Sequence, residues 1–367
     1  MPAHWSATLG GAEIQMRYLM HHLRQSSHHE ISLVCRRATL SVDNGIPIYC
    51  TGTPALIARY TYLLDYPMVH RLLRKIDPDV VYTRVASPLV GYAARYCNTH
   101  GKRLVHHIAR MDDVMPRELV PIRNRIQSFE RPIYEYGLRQ ADAVITQASY
   151  QADLLREHFG RTDAEVIPNY HPAPPKKDKT DAQGQTVLWV ANLKAAKRPE
   201  IFVLLAETCA DLANAQFIMV GAVQDRRYES MLEQSASLRN FRYMGPLPLE
   251  EVNQLMDSAD IFVNTSTSFG EGFPNTFIQA WLRRVAVVSL EVNPDHIMDD
   301  RQIGICSASS IEQLVLDVRT LLLGPDRLQL MTATAYEHAV NNYGAINLSR
   351  IQSTLERNAI AAPRKRI

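Results

Sequence analysis

The stretch FRYMGPLPLEEVNQLMDSADIFVNTS (residues 241–266) decides the fold, because two strand-like runs flank a helical pattern. The runs at 241–245 and 261–266 predict strands, and EEVNQLMDSA at 250–259 predicts an amphipathic helix. A strand, a helix and a second strand in succession are typical of a parallel sheet that is covered by helices. This stretch therefore indicates the α/β class.

The same alternation continues in both directions along the chain. The predicted strands are apolar on both faces, as parallel strands covered on two sides are. Besides the two above, strands are predicted at 31–37, 46–50, 80–84, 104–109, 143–148, 165–169, 186–192, 217–221, 285–290 and 303–307. Two Rossmann-like, doubly wound domains follow from this pattern, and a ligand-binding cleft is expected between them, at the carboxyl ends of their strands.

A proline-rich and polar segment, HPAPPKKDKTDAQGQ (171–185), separates the two sets of strands and predicts a linker or an exposed loop. The expected domains are therefore residues 1–170 and 171–345, and residues 346–367 are expected to form a helix that returns to the first domain. The N-terminal MPAHWSATLGG leaves few residues for an opening strand. Either that strand is very short or it is truncated, and we favour truncation, although a missing central strand would expose its neighbours' backbone groups.

Composition excludes several classes of protein. The 367 residues are 46% hydrophobic and 21% charged, and the net charge of +2 is too small to indicate a nucleic-acid partner. The five cysteines stand singly, so neither a disulfide framework nor a zinc site is predicted, which fits a reducing cytoplasm. No apolar stretch is long enough to predict a transmembrane helix.

The segment FGEGFPNTFIQAW (269–281) predicts a binding site at the end of a strand. Pro274 suits the first turn of a helix, so the N–H groups of 275–277 are expected to be unpaired and to attract phosphate. Gly272 would let a ligand approach the backbone, and Glu271 could accept hydrogen bonds from sugar hydroxyls. The alternative is an ordinary loop with a solvated acid.

Two further loops carry features that suit a phosphate. In WVANLKAAKRPE (189–200), Lys197 follows a predicted strand and could bind phosphate as a point charge, although most lysines are simply solvated. Gly10 and Gly11 precede an amphipathic helix, where a diphosphate or a sugar could approach closely, but a plain loop explains them equally well. The pair is not the dinucleotide-binding pattern GxGxxG.

The order and spacing of these blocks resembles glycosyltransferase family 4, whose members are retaining nucleotide-sugar enzymes of GT-B fold. The resemblance covers nearly all of the chain. It rests on GGAE (10–13), ADAVITQAS (141–149), VIPN (166–169), VANLKAAKRP (190–199), FIMVG (217–221), the stretch 241–266 and EGFPNTFIQA (271–280).

The resemblance implies roles for particular residues. Glu271, Lys197 and His107 are the implied catalytic residues, with Glu271 on the donor sugar. The implied donor-binding residues are Gly10, Gly11, Asn192, Lys197, Gly272, Phe273, Pro274, Asn275, Thr276 and Gln279. No metal and no cofactor are implied, because the nucleoside-diphosphate sugar is itself the donor substrate.

Three positions depart from the family pattern. Gln279 stands where an acid usually binds ribose, and Asn192 stands where an arginine usually partners the lysine. Many relatives have His-Gly where this chain has Ala109–Arg110, which leaves His107, with Arg110, Asp112 and Asp113, as candidates for the cleft. A buried strand histidine is an equally good interpretation of His107.

The implied reaction is transfer of a sugar, with retention, from a nucleoside-diphosphate sugar to a hydroxyl of a polysaccharide, lipopolysaccharide or glycolipid. Segments 54–75 and 117–139 are rich in arginine and aromatic residues, so they suit peripheral contact with the inner membrane surface or packing on their own sheet. The alternative function is a catalytically weak or silent homologue that binds a nucleotide or a partner. A two-domain NAD dehydrogenase shares the sheet architecture but would need GxGxxG.

Overall fold

The computed structural model describes residues 10–54, 61–120, 125–174 and 184–357. The chain divides into two compact units, of which the first comprises 1–170 with 345–367 and the second comprises 171–344. Residues 1–9, where a very short opening strand was the alternative to truncation, and most of the predicted linker, 175–183, lie outside the described residues.

Strands and helices alternate along the described parts of the chain. The strands are β1 Leu33–Cys35, β2 Val42–Asp43, β3 Ile46–Cys50, β4 Val80–Arg84, β5 Arg103–His107, β6 Ala143–Thr146, β7 Glu165–Val166, β8 Gln185–Val190, β9 Ala215–Val220, β10 Phe241–Tyr243, β11 Ile261–Asn264, β12 Ala286–Ser289 and β13 Gly304–Cys306. The helices are α1 Gly11–Ser26, α2 Tyr66–Ile76, α3 Pro88–His100, α4 Arg125–Gln140, α5 Ser149–Phe159, α6 Pro199–Thr208, α7 Arg227–Ser235, α8 Leu249–Ser258, α9 Asn275–Trp281, α10 Ile297–Arg301, α11 Ile311–Leu323, α12 Pro325–Asn342 and α13 Ile346–Glu356.

The first unit holds two sheets. One has the order β1-β3-β2, with β1 parallel and β2 antiparallel to β3, and the other is parallel with the order β4-β5-β6-β7. Helix α1 packs on both sheets, because Met16 and Met20 join the core of β1 and β3 whereas Leu19 and Leu23 join that of β5 and β6. The final helix α13 packs on the second of these cores through buried leucine and isoleucine side chains.

The second unit is built on one parallel sheet with the order β10-β9-β8-β11-β12-β13. Every residue of β11 and β12 is buried, as expected for central strands with a helical layer on each face. Trp189, Phe202 and Phe217 fill the core beside β8 and β9. Apolar burial of this extent is the main favourable contribution to folding.

Each of the twelve runs that predicted a strand contains one in the structure, and the boundaries differ by a few residues at most. Strand β2 is the described strand that the sequence pattern missed. It has two residues, and Val42 is 53% exposed, so it offers no apolar run from which a strand could be predicted.

Candidate functional site

The order of the strands in the sheet of the second unit brings three loops to one edge. Strands β8, β11 and β12 are adjacent and parallel, and Asn264 at the end of β11 pairs with Ser289 at the end of β12. The loops that follow these strands therefore begin side by side, at the edge where open α/β sheets bind ligands. They carry Lys197, Glu271 and Glu291.

Lys197 ends a short 3-10 turn, Ala195–Lys197, whose backbone is fastened to the loop after β11. Trp189 Nε1 donates a hydrogen bond to Thr265 Oγ1 at 2.9 Å, and Thr265 Oγ1 donates to Lys197 O at 2.6 Å. Thr267 N–H donates to Ala196 O at 3.0 Å. Because Thr265 is fully buried, these bonds hold the lysine loop against the β11 loop without competition from water.

Glu271 follows a second 3-10 turn, Ser268–Gly270, and its N–H donates to Ser268 O at 3.1 Å. The carboxylate of Glu271 contacts the ammonium of Lys197, and the two side chains remain 16% and 21% exposed. The structure thus brings together the two residues that the sequence analysis predicted to bind donor sugar and phosphate.

The electrostatic environment of Lys197 disfavours an unpaired charge. Burial, and next the positive charge of Lys194, lower the pKa of Lys197 to about 7. The adjacent carboxylate of Glu271 acts in the opposite direction, because a nearby anion stabilises the ammonium. The cation at this position therefore depends on an anionic partner, either a carboxylate or a phosphate.

The segment after Glu271 differs from its prediction in one respect. Pro274 is the N-cap residue of α9 and precedes the first turn, and the N–H of Phe277 donates to Pro274 O at 3.1 Å. The prediction that this N–H is unpaired is therefore wrong. Gly272 and Phe273 are buried, and the ring of Phe273 packs against Tyr343 with a centroid distance of 5.4 Å.

The remaining predicted donor-binding residues of this unit lie on the same loops and on α9. Asn192 is half-buried in the loop after β8, and Asn275 and Thr276 are half-buried at the start of α9. Gln279 is 5% exposed within α9, and its backbone oxygen accepts a 3.3 Å bond from Arg283. The role predicted for Gln279 toward ribose stays a prediction.

Gly221, at the end of the FIMVG run, sets how closely β8 and β9 approach. A Cβ atom at this position would lie 1.7 Å from Ala191 O, and the φ of Gly221 is +151°. Any other residue would push away the backbone just before Asn192.

The three predicted site residues of the first unit occupy two places. Gly10 is the N-cap of α1 and Gly11 is its first residue. His107 ends β5 and is 0% exposed, with its Nδ1 2.7 Å from Tyr82 Oη and 3.2 Å from Arg84 Nη1. Burial, and next the charge of Arg84, lower the pKa of His107 well below its usual value, so its ring is neutral.

Polar residues that the sequence analysis did not single out lie beside His107 and beside the Lys197–Glu271 pair. Arg84 Nη2 donates to Asn169 Oδ1 at 2.7 Å, and Asn169 Nδ2 donates to Gln147 Oε1 at 3.1 Å. In the second unit, Arg198 pairs with Glu291 at 2.8 Å. The available signal was position, because each of these residues lies at the carboxyl end of a strand or in the loop that follows it.

Two negative findings concern the described residues. No group of three histidine, cysteine, aspartate or glutamate side chains within 10–54, 61–120, 125–174 and 184–357 is placed to hold a metal ion. The helices in those ranges are too short or too polar for any of them to cross a membrane.

Comparison with known proteins identifies the class. Residues 9–170 match the Glycosyltransferase Family 4, and residues 184–323 match the Glycosyl transferases group 1. No curated protein matches the chain.

Solved structures resemble this chain over nearly its full length at low sequence identity. The Anabaena protein HepE in complex with UDP and glucose has a TM-score of 0.77 and 17% identity, covering 97% of this chain and 98% of its own. WaaG, a glycosyltransferase involved in lipopolysaccharide biosynthesis, has a TM-score of 0.77 and 14% identity, covering 98% and 99%. Sucrose-phosphate synthase from Thermosynechococcus elongatus has a TM-score of 0.77 and 15% identity, covering 97% and 94%.

The two α/β units, the family matches and these neighbours define a glycosyltransferase of GT-B fold. The first part of the chain belongs to the Glycosyltransferase Family 4 and the second part to the Glycosyl transferases group 1.

Proposed function

We propose that this glycosyltransferase moves a sugar, with retention, from a nucleoside-diphosphate sugar to a hydroxyl of a polysaccharide, lipopolysaccharide or glycolipid. The observation that carries the proposal is the contact between Lys197 and Glu271 at the carboxyl edge of the sheet of the second unit. A cation beside a hydrogen-bond acceptor suits a ligand that joins a phosphate to a sugar hydroxyl. UDP-sugars are the first donors to test, since HepE is described with UDP and with UDP-glucose.

In the proposed reaction the bond from the anomeric carbon to the phosphate oxygen breaks, and a bond from the acceptor oxygen to that carbon forms. The acceptor's proton passes to the departing phosphate, so no separate base is required. Negative charge develops on the leaving group, and Lys197 stabilises it from a site that is already organised. The phosphate replaces Glu271 as the partner of Lys197. Glu271 then accepts hydrogen bonds from the sugar, and these bonds position the sugar. The proposal uses no metal ion and no cofactor.

A second candidate function is a catalytically weak or silent homologue that binds a nucleotide or a partner. Asn192 and Gln279 favour it, because they replace an arginine and an acid of the family pattern with uncharged amides. An amide keeps one acceptor and two donors but loses the additional strength of a charged hydrogen bond. This candidate predicts binding without turnover.

A panel of UDP-, GDP- and ADP-sugars separates these functions. The first predicts that at least one donor raises the melting temperature and is hydrolysed slowly to the nucleoside diphosphate. Glu271→Ala should abolish that hydrolysis. If a donor binds but none is turned over, with or without acceptor extracts, the silent homologue is favoured. If no nucleoside diphosphate raises the melting temperature, the transferase and the nucleotide-binding homologue both fail, and a homologue that binds only a partner is left.

We also propose that the acceptor is reached at the inner, cytoplasmic membrane surface through the start of α2. Leu64 is 61% exposed, and Arg71, Arg74 and Lys75 on α2 are exposed, while the apolar side chains of α2 face inward. An apolar tip beside basic residues suits an anionic lipid surface. Leu64→Ser should weaken co-sedimentation with phosphatidylglycerol vesicles, whereas Leu323→Ser, at an equally exposed leucine of the second unit, should not. Equal binding to neutral vesicles would contradict this proposal.

A further inference from the structure

Arg198 joins the lysine loop to the loop after β11. It has a left-handed backbone, with φ 47° and ψ 54°, between the turn that ends at Lys197 and the start of α6. Its Nε donates to Thr265 O at 2.6 Å and its Nη2 donates to Ser266 O at 2.9 Å. A residue other than glycine in this conformation is uncommon, and it persists where the surroundings hold it in place.

Glu291, in the loop after β12, contacts the same two loops. Its Oε2 accepts a 2.8 Å bond from Arg198 Nη2. Its Oε1 accepts two bonds from Ser268, one from the N–H at 2.9 Å and one from the hydroxyl at 2.7 Å. One carboxylate thus bridges the loop of Lys197 and the loop of Glu271, with one oxygen for each.

The ion pair between Arg198 and Glu291 is partly shielded from water. The side chains of Arg198 and Glu291 are 21% and 25% exposed. Burial acts to raise the pKa of Glu291, but the hydrogen bonds from Ser268 and the charge of Arg198 outweigh it, and the pKa is lowered. The carboxylate is therefore fully charged at neutral pH, and its hydrogen bonds are charge-assisted.

Both ends of this arrangement are close in sequence to the proposed substrate-binding pair. Arg198 directly follows Lys197, and Ser268 accepts the backbone hydrogen bond from Glu271 N–H at 3.1 Å. Movement of either loop would change the separation of the Lys197 ammonium and the Glu271 carboxylate. Errors of about 1 Å in such positions cost up to about 100-fold in rate.

We propose that Arg198, Glu291 and Ser268 form a clamp that positions Lys197 against Glu271, so that the phosphate and sugar sites keep a fixed separation. The three residues are positioning residues, because their contacts join the backbones of the two loops. The proposal rests on the proposed function, since the separation between Lys197 and Glu271 matters for binding only if a donor spans the two residues. Its structural content is independent of any donor.

The first test therefore uses no donor. Acetylation of the full-length protein by acetic anhydride is followed by peptide mass spectrometry, and the reactivity of Lys197 is expressed relative to exposed Lys194 in the same peptide region. In the wild type, burial and the Glu271 contact limit access of the reagent to Lys197, and labelling at high pH, where both lysines are neutral, keeps the lowered pKa of Lys197 from affecting the ratio. Glu291→Ala should release the loop and raise the ratio about tenfold, and Ser268→Ala, a milder change, should raise it about threefold.

Asp211→Asn is the matched control, because it removes another carboxylate of the second unit that pairs with an arginine, Arg319, at 2.6 Å. It should leave the reactivity ratio unchanged. If Glu291→Ala and Ser268→Ala both keep the wild-type ratio, the clamp is overturned. If Glu291→Ala does not fold, Ser268→Ala decides alone, since it removes one hydroxyl and keeps the ion pair.

The second test asks whether the clamp acts through Lys197 on a ligand. Glu291→Ala should weaken UDP binding about tenfold in the wild-type background but less than about twofold in the Lys197→Ala background. Equal losses in both backgrounds would overturn the clamp, because a general structural defect does not depend on Lys197. If the wild-type protein binds no nucleoside diphosphate, the proposed function fails, while the acetylation test still decides the clamp.

Discussion

The carboxyl edges of the two parallel sheets carry polar side chains in two different states. In the first unit, Arg84 and His107 are 6% and 0% exposed and hydrogen-bond to Asn169 and Tyr82. In the second unit, the side chains of Lys197 and Glu271 contact each other and remain 21% and 16% exposed. The first set is enclosed, and the second set lies where a ligand could replace one partner.

This difference separates stability from binding. Enclosed polar groups cost free energy of unfolding when a partner is removed, because the remaining group stays buried and unsatisfied. A pair of opposite charges that a ligand can reach is able to exchange one partner for that ligand. We therefore expect substrate contacts in the second set, and each prediction below tests either this expectation or the enclosed state of the first set.

The largest effect is expected for Lys197→Ala. Loss of the charge that meets the leaving phosphates should lower kcat/KM for the best donor by about 100- to 1,000-fold, the typical effect of removing one such group. Steady-state kinetics with that donor measure it. Arg239→Ala, at an exposed residue of the second unit outside these loops, is the control and should change kcat/KM less than about threefold. Equal effects of the two changes would contradict the expectation that Lys197 contacts the donor.

The next effect concerns stability in the first unit. His107→Leu leaves Tyr82 Oη and Arg84 Nη1 without their ring acceptor, so the free energy of unfolding should fall by about 3 kcal/mol. Chemical denaturation measures it, and exposed His28→Leu should change it by less than about 0.5 kcal/mol.

His107 was also predicted to be catalytic, and the same variant tests that role. The enclosed position leads us to expect a kcat within about threefold of the wild type at a temperature where the variant is folded. A loss of more than about 100-fold in kcat, with unchanged stability, would establish the catalytic role and contradict the comparison.

A smaller effect is expected from pH. Burial lowers the pKa of His106, which is 0% exposed, to about 4, and it lowers that of His171 in the second unit to about 4 as well. The unfolded chain binds these protons near pH 6.5 and the folded chain does not, so stability falls as the pH falls between these values.

For His106 the loss should be about 2 kcal/mol between pH 7 and pH 5. Urea unfolding at the two pH values measures it. His106→Gln, which cannot titrate, should reduce the loss by that amount, because the unfolded variant gains no proton at this position. An identical pH dependence in the variant would show that the His106 ring is not held neutral by the fold.

The smallest effect is expected for Gln279→Glu. If the ribose of the donor lies against this residue, restoring an acid should tighten donor binding about three- to tenfold through a charged hydrogen bond. Calorimetric titration measures it, and Gln254→Glu, exposed on α8, controls for the added charge. An unchanged affinity would mean that ribose binds elsewhere.

Much of the fold could be predicted from the sequence because the central strands of the sheet in the second unit are buried on both faces. Strands β11 and β12 are continuous apolar runs, and such runs predict strands wherever helical patterns flank them. Strand β2 could not be predicted in this way, since a two-residue strand with an exposed valine has no apolar pattern.

The site could be predicted in part. Lys197 and Glu271 were predicted from their positions after strands, but their mutual contact depends on β8 lying beside β11. The order of strands in a sheet differs from their order in the chain, so local patterns do not predict it. The Arg198–Glu291 pair, 93 residues apart in sequence, was missed for the same reason.

The most direct test of the central claim is a calorimetric titration of UDP into the wild type, Lys197→Ala and Glu271→Gln. The account predicts binding by the wild type and a loss of at least about 30-fold in Lys197→Ala, since the diphosphate depends on that cation. Glu271→Gln should bind UDP at least as tightly as the wild type, because no ion pair with Glu271 has to be broken before Lys197 contacts the diphosphate. The same variant should lose turnover of UDP-glucose. Equal UDP affinity in the wild type and Lys197→Ala would contradict the account.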